Sequence, residues 1–329
     1  MIPYRPLFRN PHLQTVAAHY WKRPDAGPRY PLTRRLFRTE PDVQVAVDSQ
    51  QPSGPLAGHV VMVHGLEGSS EAGYMRSLST AVLRAGFAAH RFHMRTCGGT
   101  EHLCTTLYHA GLTGDLDSVV RQLQAESPAP LFLVGFSLGG NVVLKLAGEL
   151  GAAGPALIRG VCGVSTPLDL EACARRIAEP DNRFYQKRFV SRMRARLCAT
   201  GRYQARDFAG LSSVWQIDDR ITAPSFGFGN AQNYYRTQSA VRFLDAIRVP
   251  ALSSRRGTTP SFPSTFFPLP RCARIRSSSC APPNRAATWD SCAATRTAYG
   301  WMRQSWNGFR ITREETSETT GSGGPSGRC

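Results

Sequence analysis

The chain has 329 residues, 41% hydrophobic and 19% charged, enough apolar material for one large domain or two modest ones, and this balance excludes collagen-like, coiled-coil and wholly disordered classes. No run approaches the ~18 apolar residues of a membrane span, and residues 1–15 carry arginines and prolines with no apolar core, so neither a transmembrane segment nor a secretory signal is expected, and a soluble cytoplasmic protein is. The net charge of +17 would suggest nucleic acid or acidic lipid, but 29 of the 40 Lys and Arg and 19 of the 23 Asp and Glu precede residue 251, so the last 79 residues carry 11 against 4, a net +7.

Taken in chain order, Leu36 to Val47 predicts an antiparallel hairpin at a sheet edge. His59 to Val63 reads as a buried strand that ends in the glycine-rich turn His64-Gly65-Leu66-Glu67-Gly68. A helical pattern follows from Glu71 through Leu83, stopped by Gly86. Phe87 to Met94 is the next strand, followed by a Gly98-Gly99 loop and a helix from about Thr113 to Ala125 with Leu116, Val119, Val120 and Leu123 on its apolar face. Pro130 to Val134 is the third strand and runs straight into Gly135-Phe136-Ser137-Leu138-Gly139-Gly140 and a helix through Leu150; Leu157 to Val164 is the fourth. Strands alternating with helices at this spacing predict βαβ units, hence an α/β fold with a mostly parallel sheet and helices on both faces. From about residue 168 to 240 the strand signal stops, and a helical, arginine-rich and aromatic segment predicts an insertion that caps the sheet. There is no internal repeat.

Gly135-Phe136-Ser137-Leu138-Gly139 matches G-x-S-x-G between a predicted strand and a predicted helix, the context that gives the motif meaning. A serine on so sharp a turn needs glycine on both sides, because larger neighbours would strike the adjoining strand and helix. Its Oγ is then exposed at a helix N-terminus, as a nucleophile requires. The backbone N–H of Leu138 faces a developing oxyanion there, helped by the helix dipole. A second donor is expected from the earlier glycine turn, where the N–H of Leu66 is in the right place. His64 has two readings, catalytic base or brace of the turn, and bracing is the simpler. The nine cysteines form no CxxC pair and no cluster with histidine at zinc-like spacing, so reduced thiols, no metal and no cofactor are expected.

These motifs, with Arg9-Asn10-Pro11-His12-Leu13-Gln14-Thr15, Arg95 and Cys97-Gly98-Gly99, Tyr108-His109-Ala110-Gly111, and Asp218-Asp219 followed by Thr222-Ala223-Pro224 and Gly227-Phe228, resemble the alpha/beta-hydrolase superfamily, and within it the YheT-like esterase branch. The resemblance covers roughly residues 3 to 250. It implies an alpha/beta-hydrolase fold with a helical cap, and a Ser-Asp-His triad that hydrolyses carboxylic esters of short- or medium-chain acyl groups. The implied partner is therefore a small acyl ester or lipid-like substrate, with no specific nucleic acid; the sequence sets no oligomeric state.

The chain departs from that pattern in one respect that decides its chemistry. The triad runs in the order Ser, acid, His, yet all eight histidines (His12, His19, His59, His64, His90, His93, His102 and His109) precede Ser137. Without a base, an alcohol near its free pKa is a poor nucleophile. Rebuilding each codon from the last base of one residue and the first two of the next lets the segment Arg285 to Cys292 be read as GGHLGFL, the family's histidine motif. The same shift lets Arg256 to Pro263 be read as RDDPLIP, the acid motif, and Tyr299 to Gly308 as the amphipathic helix WLDEAVMEW. A frameshift near Val249 to Ser254 is therefore expected. Residues 1–250 would form the hydrolase core and 251–329 an out-of-frame, poorly ordered tail, with the last strands and helix of the fold missing or disordered. The competing readings of the tail and of the whole chain are a genuine basic extension and a non-catalytic hydrolase-like protein that binds an acyl ligand or a partner.

Smaller signals have two readings each. His109 could replace the missing base or brace its loop. Asp169 could serve as a surrogate acid or cap a helix. Asp218 and Asp219 suggest paired carboxylates, but a structural role in the cap is favoured. Arg95 with Cys97-Gly98-Gly99 could bind ligand or shape a turn, and the run from Arg175 to Tyr203 could touch phospholipid or be a solvated helical face.

Overall fold

The computed structural model describes residues 29–254. The Arg9 to Thr15 motif and everything from residue 255 on, including the segments with the shifted histidine, acid and helix readings, lie outside the described residues.

Strands β1 (Thr33–Glu40) and β2 (Val43–Gln50) form the expected edge hairpin, with Glu40 opposite Val43 across a two-residue turn. The sheet continues with β3 (Gly58–Val63), β4 (Phe87–Phe92), β5 (Leu131–Phe136), β6 (Gly160–Val164) and β7 (Ala251–Ser254), in the order β1-β2-β4-β3-β5-β6-β7. Pairing is antiparallel at β1–β2 and β2–β4 and parallel from β4 through β7. β7 pairs with β6 from Val161–Ala251 to Val164–Ser254, so the sheet runs past the boundary expected after residue 250.

Buried strands alternate the faces they present. Val61, Val63, Leu131 and Leu133 pack with Leu116, Val119, Val120 and Leu123 of α2 (Gly114–Glu126) and with Val142, Val143 and Leu144 of α3 (Leu138–Leu150). The intervening Val60, Met62, Phe132 and Val134 pack on the other face with Met75, Leu78, Val82 and Leu83 of α1 (Gly73–Arg84).

Two boundaries move for local reasons. The helix expected from Glu71 starts at Gly73, because the Ser70 hydroxyl donates to Asp48 Oδ2 (2.5 Å) and Arg91 donates to Ser70 O (2.9 Å), which holds that stretch in a turn. The strand expected over Leu157 to Val164 starts at Gly160, after a helical turn at Gly154–Leu157 whose proline suits the first turn of a helix.

Between β6 and β7 the chain is helical: α4 (Leu170–Ala178), α5 (Arg183–Ala199), α6 (Val214–Ile217) and α7 (Ala231–Gln238). This cap settles on the elbow end of the sheet, where Leu138, Trp215 and Phe228 pack against a buried cluster that includes Leu170, Tyr234 and Tyr235. Among the described residues no helix is long and apolar enough to cross a membrane.

Candidate active site

β3 lies between β4 and β5, so the loops leaving its carboxyl end and that of β5 open the crevice where sheets of this kind hold ligands. β5 ends at Phe136, α3 begins at Leu138, and Ser137 between them sits at φ 51°, ψ −120°, a conformation a side chain rarely adopts. Such a backbone costs ~1–3 kcal/mol and persists only where its surroundings fix it. Here the Ser137 N–H donates to Val164 O of β6 (2.8 Å), and the Ser137 carbonyl accepts from the N–H groups of Gly140 (2.8 Å) and Asn141 (3.4 Å).

The flanking glycines are required for the reason the sequence suggested. A Cβ on Gly135 would lie 2.1 Å from Gly139 O, and one on Gly139 would lie 2.4 Å from both Val63 O and His64 O. That second approach presses the start of α3 onto the end of β3 and brings the two turns together: a Cβ on Gly65 would stand 3.1 Å from Ser137 Cβ and 3.7 Å from its Oγ.

The Gly65-Leu66 turn is held at every neighbouring amide. The Gly65 N–H donates to Tyr74 Oη (3.0 Å), the Glu67 N–H to Tyr108 Oη (3.3 Å), and the Gly68 N–H to Gly65 O (3.0 Å). Gly65 O also accepts from His64 Nδ1 (2.8 Å). Because that carbonyl and the Leu66 N–H share one planar peptide unit, fixing the oxygen points the N–H the opposite way. Among the described residues the Leu66 N–H has no hydrogen-bond partner. The Leu138 N–H is the first of α3 and has no acceptor within its own helix.

His64 is a brace. It is wholly buried, its Nε2 accepts from the Met94 N–H (3.3 Å), and burial pushes its pKa down to about 3. His109 is wedged edge-on among Phe226, Phe228 and Tyr234 at ring distances of 4.6, 5.2 and 5.9 Å, and its Nδ1 accepts from the Gly111 N–H. Burial, with Lys145 and Arg95 adding repulsion, pushes its pKa down to about 3. Among the described residues no hydrogen bond joins Ser137 Oγ to a histidine or a carboxylate.

The other candidates have structural work. Asp169 caps α4 by accepting from the Ala172 N–H. Asp218 accepts from Tyr235 Oη (2.6 Å), with burial raising its pKa to about 6, and Asp219 accepts from the Ala231 N–H. Arg95 is spent on Asp115 and Glu40. No group of three or more His, Cys, Asp and Glu suited to a metal occurs among the described residues.

The arginine-rich run is not simply a solvated face. Arg196 of α5 is buried and reaches the glycine turn, where Nε lies 2.9 and 3.0 Å from the two carboxylate oxygens of Glu67 and Nη1 donates to Thr96 Oγ1 (2.8 Å). Its guanidinium also lies over the Tyr108 ring, 4.6 Å from the centroid. A carboxylate beside the candidate donor Leu66 was the available signal, since a buried Glu67 demands a cation and the turn supplies none.

A mostly parallel sheet that delivers a strained serine into a helix, against a glycine turn from the neighbouring strand, defines an α/β protein with the strand–turn–helix geometry that G-x-S-x-G requires. The family model described as the alpha/beta hydrolase fold matches residues 58–202. "Putative esterase YheT" of Escherichia coli is 32% identical over 272 residues, covering 80% of this chain and 79% of that protein. "Embryogenesis-associated protein EMB8" of Picea glauca is 25% identical, covering 81% of this chain and 62% of that one, and "Monoacylglycerol lipase" of Saccharomyces cerevisiae is 27% identical, covering 68% and 51%. The chain thus spans 62% and 51% of these last two relatives' length. It belongs to the alpha/beta hydrolase family and, within it, is YheT-like.

Proposed function

We propose that this chain is built to hydrolyse carboxylic esters, of small acyl or lipid-like substrates, in the cytoplasm, with Ser137 as nucleophile and the N–H groups of Leu66 and Leu138 as the oxyanion site. The observation that carries the reading is Ser137 itself, a strained serine held at a strand–helix junction within van der Waals reach of the Gly65-Leu66 turn. The relatives named as esterase and lipase support the same chemistry. In the reaction Oγ attacks the acyl carbonyl, the two amides stabilise the tetrahedral oxyanion, the alcohol leaves, and water then releases the acid from the acyl-enzyme.

The same proposal holds that this chain is impaired. Its acid and histidine are absent because the frame is displaced near Val249 to Ser254, and residues beyond are an out-of-frame tail. An elbow without a base predicts p-nitrophenyl ester turnover near background and slow phosphonate labelling of Ser137; rapid stoichiometric labelling with brisk turnover would overturn that. Sequencing the gene across the codons for Ala246 to Thr265, with an intact mass of the protein, tests the displaced frame. If the sequence as read is upheld and a tight acyl ligand is retained without turnover, the non-catalytic acyl-binding reading replaces this one.

A further inference from the structure

The turn carrying Leu66 is gripped from above by the cap. Glu67 follows Leu66 with φ +53°, and Thr96 at the end of the β4 loop has φ +60°, so both are in a region that L side chains avoid. One guanidinium holds both. Arg196, 129 residues further along than Glu67, grips its carboxylate through Nε and holds the Thr96 hydroxyl through Nη1. The two ends of the ion pair are 9% and 3% exposed, so removing either leaves a buried charge without its partner. Tyr108 completes the grip: its hydroxyl accepts from the Glu67 N–H and donates to Glu67 Oε1 (3.1 Å), while its ring lies under the guanidinium. Glu67 is thereby fixed at its amide and its side chain, one residue beyond the amide whose direction matters.

We infer that Arg196 and Glu67 are positioning residues that couple docking of the cap helix α5 to the direction of the Leu66 N–H, so that the second oxyanion donor is assembled only when the cap is closed on the turn. The inference rests on the ester-hydrolase reading above. Neither residue touches substrate. Both act through the turn, and Thr96 and Tyr108 are their supports. A displacement of about 1 Å in a group that meets the transition state costs up to about a hundredfold in rate, whereas the oxyanion that the Leu66 N–H would meet forms only as the bond to Ser137 is made, so association before reaction does not depend on that amide.

The test uses the full chain and an alkyl fluorophosphonate, which forms a bond from Ser137 Oγ to phosphorus while fluoride leaves and the serine proton passes to water. The saturating inactivation rate reads oxyanion stabilisation, and the half-saturating concentration reads binding. Arg196→Lys, which keeps the charge but has no second nitrogen to hold Thr96 Oγ1 while the first grips the Glu67 carboxylate, should lower the saturating rate about tenfold and leave half-saturation within about twofold. Glu67→Gln is the second variant should the first fail to fold. Arg176→Lys, at the exposed pairs with Glu179 and Asp181, is the control and should change neither. Labelling at Ser137 with an unchanged rate in both variants, or a change in half-saturation alone, would overturn the coupling while leaving the ester reading intact. Labelling that is no different in Ser137→Ala would sink the ester reading and the coupling with it.

Discussion

Two glycines of this chain look alike in sequence and differ entirely in what a methyl group would meet. At Gly139 the added carbon would stand 2.4 Å from the backbone oxygens of Val63 and His64, neither of which can yield without moving the end of β3. Gly114, first residue of α2, has nothing within 4 Å of the same position. We therefore expect Gly139→Ala to lose about 2–4 kcal/mol of stability and to slow phosphonate labelling further, since the shift it forces falls on the Gly65-Leu66 turn. Gly114→Ala should be neutral or gain up to about 1 kcal/mol. Urea unfolding of the two variants side by side checks both; equal midpoints would contradict the close packing of the elbow. His109→Gln belongs to the same scale. A neutral ring walled in by Phe226, Phe228 and Tyr234 is no base for Ser137, so labelling of Ser137 should stay within about twofold of the parent. A loss of ten-fold or more would return His109 to the reaction.

The helix that carries the elbow is tied to both the core and the cap by one buried side chain. Asn141, one turn into α3, donates through Nδ2 to Ala110 O (2.9 Å) and Gln238 O (3.0 Å), and its Oδ1 accepts from the Ala240 N–H (2.7 Å). Those three partners belong to the loop before α2 and to the stretch leaving α7, so α3 becomes the post around which loop and cap are set. A second tie lies one turn on, where Lys145 Nζ donates to Gly111 O (3.0 Å) and pairs with Glu149 (2.5 Å). Asn141→Ala strands three backbone groups at once, two buried and one part-buried, each buried one worth ~1–3 kcal/mol when left unpaired, with water entering the small cavity recovering part of it. A net loss of about 3 kcal/mol is expected, far above the at most ~0.5 kcal/mol for Arg121→Ala at the exposed i,i+4 pair with Asp117 on α2. Thermal unfolding of the two variants decides the matter, and similar losses would mean that α3 is held by its apolar face alone.

At the scale of the whole molecule, what could be read from the sequence was what is local. The runs His59 to Val63 and Pro130 to Val134 are apolar throughout because both faces of those strands are covered, and the glycine spacing around Ser137 follows from the sharpness of one turn. Long-range pairings were not legible: nothing in the arginine-rich stretch says that Arg196, rather than Arg192 or Arg194, is the one that turns inward to Glu67. The histidines show the same limit, since their number was plain but their burial was not, and burial is what ties the fold to pH. His64, His90 and His109 have pKa values pushed down to about 3 and that of His59 is lowered, in each case chiefly by burial. His59 and His90 are moreover linked to each other (3.0 Å) and, through His90, to Ser49 Oγ (2.9 Å), a chain inside the sheet that holds its shape with neutral rings. In the unfolded chain each would titrate near 6.5, so between about pH 6.5 and pH 3 the unfolded state binds more protons than the folded one. The stability these groups contribute is complete above that window and is lost as pH falls, by ~1 kcal/mol per pH unit for each of His64, His90 and His109, with His59 acting in the same direction. Asp218 works the other way, because burial raises its pKa to about 6 and the folded state then holds a proton that the unfolded state lacks down to about pH 4. One carboxyl opposes four histidines, so the net expectation is a urea midpoint that drops steeply from pH 7.5 to pH 5 and a chain that unfolds in mild acid. A flat midpoint across that range would mean that the His59–His90 chain takes up protons without leaving the sheet, and the buried polar core would have to be open to water in the folded state.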